Sequence, residues 1–158
     1  MKTTSRITGL IATLAVLLTV LSSWATESVV TPAMVGHLEG NARIIVSWCH
    51  QTNLFVKVEI SADGSVAGTV GDAKLTGGRF QANRGWLGRK LNLATDYIIK
   101  GKLDGAIVAA EGITRERVMI PLDFSGGSFK GGVNTSGLMF GGKDKMPLST
   151  ASLRLNHE

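Results

Sequence analysis

The feature that most constrains this chain is a two-residue rhythm. From residue 38 to 48 the even positions carry Leu38, Gly40, Ala42, Ile44, Val46 and Trp48, while the odd ones carry Glu39, Asn41, Arg43, Ile45 and Ser47. Successive side chains of a strand point to opposite faces, so this stretch has one apolar face and one mainly polar face. Leu54, Val56, Val58 and Ile60 repeat the pattern against Phe55, Lys57, Glu59 and Ser61. Ala62-Asp63-Gly64 then supplies a hairpin turn, its glycine free to adopt the left-handed conformation. Further strands are predicted at 65–70 and 73–80, and after residue 95, where Tyr97, Ile99, Gly101 and Leu103 share a face.

Asp104-Gly105 turns the chain into AIVAAEGI, and the charged run Thr114-Arg115-Glu116-Arg117 reads as another turn. Val118, Ile120, Leu122 and Phe124 alternate with Met119, Pro121 and Asp123; Gly126-Gly127 leads into SFKGGVN, and residues 148–155 close the pattern. No sustained helical stripe occurs beyond the amino-terminal segment. The expected fold is all-β: an antiparallel up-and-down meander of eight or nine strands, closed or partly open as a barrel.

Of 20 glycines all but Gly9 follow residue 25, about twice the usual ~7% share. Gly40, Gly68, Gly101 and Gly131 fall inside strands, where glycine marks a bend, a bulge or close backbone approach. Pro121 cannot donate to a ladder and predicts an edge or a bulge, which counts against perfect closure. VKVEISADGSVAGTV (56–70) and IPLDFSGGSFKGGV (120–133) echo one another. Ordinary glycine-turn hairpins explain that much; a true echo would give the barrel two related halves.

Lys2 and Arg6, the run LIATLAVLLTVL at 10–21, and Ser23-Trp24-Ala25 form the three-part layout of a secretory signal peptide. A membrane-spanning helix needs about 20 apolar residues, and 7–25 reaches that only by counting three threonines and two serines. The expectation is a signal peptide at 1–25, export to a periplasm or the exterior, and one mature domain over 26–158 with no stable span after cleavage. Cys49 is the single cysteine, so no internal disulfide exists. Without Lys2 and Arg6 the 17 cations become 15 against 12 anions, a net +3. That mild balance argues against a dedicated nucleic-acid binder.

In length and meander pattern the chain loosely resembles the calycins, the lipocalin and avidin-like barrels. The resemblance implies a small closed barrel able to hold a ligand. Those families open on a Gly-x-Trp signature; Gly36-His37-Leu38 has leucine in place of the tryptophan, and the resemblance transfers no binding residue.

Catalytic constellations are not found. Cys49-His50 would need to share a proton, yet neighbours on a strand point apart; the pair reads as a strand-end cysteine beside a solvated histidine. His37, His50 and His157 lack ligand spacing, and no phosphate loop or nucleophile elbow occurs. No metal or cofactor is expected. Glu111, on the face of Ile107 and Ala109, is the best carboxylate for an acid/base site inside the barrel, or else a solvated strand end.

Two links are the expected binding surfaces. In NRGWLGRKLN (83–92) Trp86, Leu87 and Leu91 either close a barrel end or, with Arg84, Arg89 and Lys90, stack and fork onto an anionic ring compound, Tyr97 joining the rim. In NTSGLMFGGKDKMP (134–147) Met139 and Phe140 offer an apolar contact. The leading expectation is a non-catalytic exported binding protein holding a small apolar or amphipathic ligand at one barrel end. The alternatives are a protein-interaction module, such as a hydrolase inhibitor using links 83–92 and 134–147, and an enzyme.

Overall fold

Alternation at every strand requires a continuous inner surface, and a closed ring provides one. The computed structural model describes residues 29–83, 95–136 and 146–158. The strands are β1 (Gly36–Ile44), β2 (Asn53–Ile60), β3 (Ser65–Val70), β4 (Ala73–Ala82), β5 (Tyr97–Asp104), β6 (Ala106–Val108), β7 (Ile113–Thr114), β8 (Arg117–Ser125), β9 (Ser128–Gly131), β10 (Asn134–Ser136), β11 (Leu148–Ala151) and β12 (Leu153–His157). All pairings are antiparallel: β1 with β2, then β3, β4, β5, β8, β9 and β12, which returns to β1. β10 continues β9 along β8, and β11 precedes β12 along β1. The barrel is therefore an eight-stranded meander whose last two strands are each broken once. Ser152, at φ 60, makes the second break.

β6 and β7 form a small hairpin of their own, inserted between β5 and β8 around a 3₁₀ turn at Ala109–Glu111. It covers the end of the barrel that also holds the 45–52 link and the Gly71-Asp72 turn, hereafter the cap end. The opposite end carries the hairpin turns at 61–64 and 126–127 and the link that follows Asn83.

Most residues expected on the apolar face are inward, with Val46, Trp48, Tyr97 and Phe124 only partly buried near the ends, and the later strands add further inward side chains. Leu38, Leu54, Val56, Ile60, Ile99, Ile120, Leu122, Phe129, Leu148, Leu153 and Leu155 are all under 2% exposed. An eight-stranded barrel is just wide enough for side chains to fill it, and these do.

Pro121 sits within β8 with partners on both sides, yet the ring closes. Its carbonyl accepts from Gly132 N–H (3.3 Å), so its nitrogen faces the same neighbour, where β9 gives way to β10. The ladder is already interrupted there, and the missing donor costs nothing. The register runs unchanged past the proline, from Leu122 opposite Gly131 to Met119 opposite Asn134, so Pro121 marks neither an open edge nor a bulge.

The echo has a structural counterpart. Its two hairpins are β2–β3 and β8–β9, four strands apart in a ring of eight. Gly68 faces Val58 and Gly131 faces Leu122, matching positions of the two segments. A Cβ on Gly68 would lie 2.1 Å from the Lys57 carbonyl oxygen, and one on Gly131 would lie 1.9 Å from that of Pro121. Both hairpins thus need glycine at the same point, where one strand bends over its neighbour.

Candidate functional site

With the interior filled, functional chemistry must lie at the ends or on the outer wall. At the cap end β1 stops at Ile44, and residues 45–52 cross the barrel mouth. The alternation of burial persists to Trp48, after which Cys49 is buried and His50 is not; the His50 side chain is 96% exposed. This agrees with a strand-end cysteine beside a solvated histidine.

Glu111 departs from both of its expected placements. Ala109–Glu111 is a 3₁₀ turn and not strand, so the two-residue rhythm no longer sets its direction. The carboxylate neither enters the barrel nor extends into water. Its Oε1 accepts from Gln51 N–H at 2.6 Å and from the Cys49 thiol at 3.6 Å; its Oε2 accepts from His50 N–H at 3.2 Å and lies 3.5 Å from His50 Nδ1. A second carboxylate, Asp72, accepts from Ala109 N–H at 2.8 Å. The two acids fasten the inserted hairpin to the barrel mouth by satisfying backbone donors that strands do not use.

Those bonds set the electrostatics. The Gln51 N–H, then that of His50, hold the Glu111 carboxyl below the ordinary carboxylate range, against partial burial. Burial first, and the Glu111 charge after it, push the Cys49 thiol up, while a backbone hydrogen bond with Gln51 and the Arg115 charge oppose them. A raised thiol pKa is the reverse of what a nucleophilic cysteine needs.

Arg115, in the charged run expected as a turn, is a site residue that the sequence gives no reason to single out. It is 3% exposed, its guanidinium 5.3 Å from the Trp48 ring centroid and its Nη1 donating to the Thr114 carbonyl at 2.5 Å. Trp48 and Arg115 complete the plug over the barrel mouth.

Two outcomes follow for the cap. Native Cys49 reacts with a disulfide reagent at mildly alkaline pH at least ~10-fold more slowly than in urea, and Glu111→Gln speeds the native reaction. Because the folded Glu111 pKa is depressed, its stabilisation is complete above the ordinary carboxylate value and is lost as pH falls through the lowered one. Glu111→Gln therefore flattens the acid limb of a stability–pH curve; an unchanged limb would remove the clasp from the account.

At the opposite end Tyr97, an expected rim residue, stacks on Phe80 (centroids 5.1 Å apart, planes at 19°). Phe129 stands edge-on to Phe80 at 5.7 Å and tilted to Phe124 at 4.7 Å. Tyr97 and Phe124 are only partly buried, so this aromatic group floors the barrel and reaches its surface. Asn83 N–H donates to the Asp96 carbonyl (2.9 Å), Asn83 Nδ2 to Thr95 Oγ1 (3.2 Å), and Asp96 N–H to the Asp123 carboxylate (2.8 Å). The link beyond Asn83 thus leaves and returns through a closed neck.

Arg84, Trp86, Leu87, Arg89, Lys90, Met139 and Phe140 lie outside the described residues. The bases of their two links are placed, however, and they are at opposite ends. β5 begins at Tyr97, opposite Leu122, whereas β10 ends at Ser136, opposite Arg117 at the other end of β8. Among the described residues no group of three or more His, Cys, Asp or Glu is placed to hold a metal ion, and no helix is long and apolar enough to cross a membrane. No protein-family model, curated protein or solved structure matches the chain. The likeness to calycin barrels is one of strand pattern.

Proposed function

We propose that this chain is an exported, non-catalytic protein-interaction module that grips its partner at one end of the barrel. The filled interior carries this reading. Enclosed ligand sites are concave and bury most of a small molecule, whereas here the central space is occupied by the chain's own leucines, isoleucines, valines and Phe129. A partner would meet the cap rim, where Ile45 is 54% and Met146 50% exposed.

A second reading keeps a small apolar or amphipathic ligand and moves it to the other end. Tyr97 and Phe124, part-exposed above Phe80 and Phe129, would form its floor. Native mass spectrometry of the protein purified from its own host separates the two. A co-purifying polypeptide, lost on Ile45→Asp, supports the module; a co-purifying small molecule, lost on Tyr97→Ala, replaces it. The same spectrum reports export, because cleavage by signal peptidase leaves a chain starting at Thr26. Retention of residues 1–25 would contradict that part.

A further inference from the structure

The outer wall separates charge in a way that the modest net charge conceals. On the β1–β2 side acids and bases neutralise one another. Lys57 Nζ lies 3.1 Å from Glu158 and 3.6 Å from Glu39, and His37 Nε2 lies 3.7 Å from Glu59. On the opposite side, formed by β4, β5 and β8, Asp104 faces Lys74 and Asp123 faces Lys130, but between them cations face one another. Arg79 stands directly opposite Lys100, and Lys102 directly opposite Arg117, all four exposed. A third like-charged pair, Lys130 and Arg154, continues the set on β9 and β12.

Like charges directly opposite on a sheet destabilise it. Arg79 has one ion pair, 3.8 Å from Asp63. Among the described residues Lys100, Lys102, Arg117, Lys130 and Arg154 have no carboxylate within ion-pair distance. The fold gains nothing from placing them face to face. Within this set stands an apolar side chain, Met119, 44% exposed, opposite Lys100 and two residues from Arg117.

From this arrangement we infer that the β4–β5–β8 wall docks on an anionic lipid surface. The phosphate layer supplies the missing counter-charge. Basic residues near such a surface each strengthen attachment, and the attraction fades within a Debye length. Met119 selects among anions. A hydrated soluble polyanion offers it no apolar environment, whereas the boundary between headgroups and acyl chains does. Attachment is peripheral and needs no spanning segment. It is independent of the partner-binding reading, since it uses a different face.

Co-sedimentation with phosphatidylcholine vesicles, with and without phosphatidylglycerol, tests it. The protein is expected to bind only the anionic vesicles and to be released by salt. The double variant Lys100→Ser, Lys102→Ser should bind roughly 25-fold more weakly, about fivefold per cation. It removes one member of two repelling pairs, so it folds at least as well. Met119→Ser should weaken binding while leaving the salt dependence unchanged. The charge-matched Arg43→Ser, Lys57→Ser on the other side should change binding less than about twofold. Equal losses from the two double variants, equal binding to neutral vesicles, or binding to heparin but not to anionic vesicles would each overturn the inference.

Discussion

Gly68→Ala unfolds this barrel at a temperature about 10–15 °C below the parent. Two independent penalties meet there. Gly68 holds φ at +142, a region essentially reserved for glycine and costing other residues about 1–3 kcal/mol. Its added Cβ would also lie 2.1 Å from the Lys57 carbonyl oxygen and 2.8 Å from the Val58 Cα. Overpacking costs about 1–3 kcal/mol, and a backbone obstacle in a closed ring cannot rotate away. The sum, about 2–6 kcal/mol, is a large part of a typical domain's 5–15 kcal/mol. Gly131 supplies the internal comparison. Its carbonyl contact is as close, at 1.9 Å from Pro121, but it is absent from the positive-φ residues. Gly131→Ala should therefore lose only the overpacking share, about 1–3 kcal/mol. Thermal melts by circular dichroism read both; equal losses would show that the conformational penalty at Gly68 is negligible.

Phe129→Ala should cost about 3–5 kcal/mol, the usual range for deleting a buried aromatic ring. Phe129 is fully buried and touches both Phe80 and Phe124, so its removal takes away the centre of the aromatic floor. The surrounding strands are bound in a ring and cannot collapse far into the gap. Phe129→Leu should recover about half of the loss, because it restores much of the volume without the ring contacts. Urea denaturation with an unchanged slope would show the loss as stability alone. A loss below about 1 kcal/mol for Phe129→Ala would mean that the floor is loosely packed.

The strands were legible because each carries its own rhythm. Leu54, Val56, Val58 and Ile60 state their face without reference to anything else in the chain. Ring closure was not legible in the same way, since β1 meets β12 through residues more than a hundred positions apart. Pro121 pointed toward an open edge only because the Gly132 break that accommodates it is a property of the neighbouring strand. The cap was the least readable part. Glu111 sits where a 3₁₀ turn interrupts the strand rhythm, and nothing in the run Thr114-Arg115-Glu116-Arg117 marks Arg115 for burial, since charged residues are usually exposed. Its burial depends on Trp48, some 67 positions away. Of the candidate site, the sequence did not show that Cys49 and His50 both reach the Glu111 carboxylate, which lies some 60 positions away. It gave no warning that the links 83–92 and 134–147 start from opposite ends, because end assignment follows from the parity of strands between them. The charge pairing of the outer wall was likewise hidden, since Lys102 and Arg117 become neighbours only through register.

The account rests on an interior occupied by its own side chains, and methyl-resolved NMR addresses it most directly. With the methyl groups of Leu54, Val58, Ile99 and Ile120 labelled, a medium-chain fatty acid is titrated into the protein. These methyls face the middle of the ring and are no more than 1% exposed. The predicted result is that their resonances stay fixed while any shifts fall on residues at the barrel ends or outer wall. Saturable, stoichiometric shifts at the four inner methyls would reveal a ligand within the barrel and contradict the account.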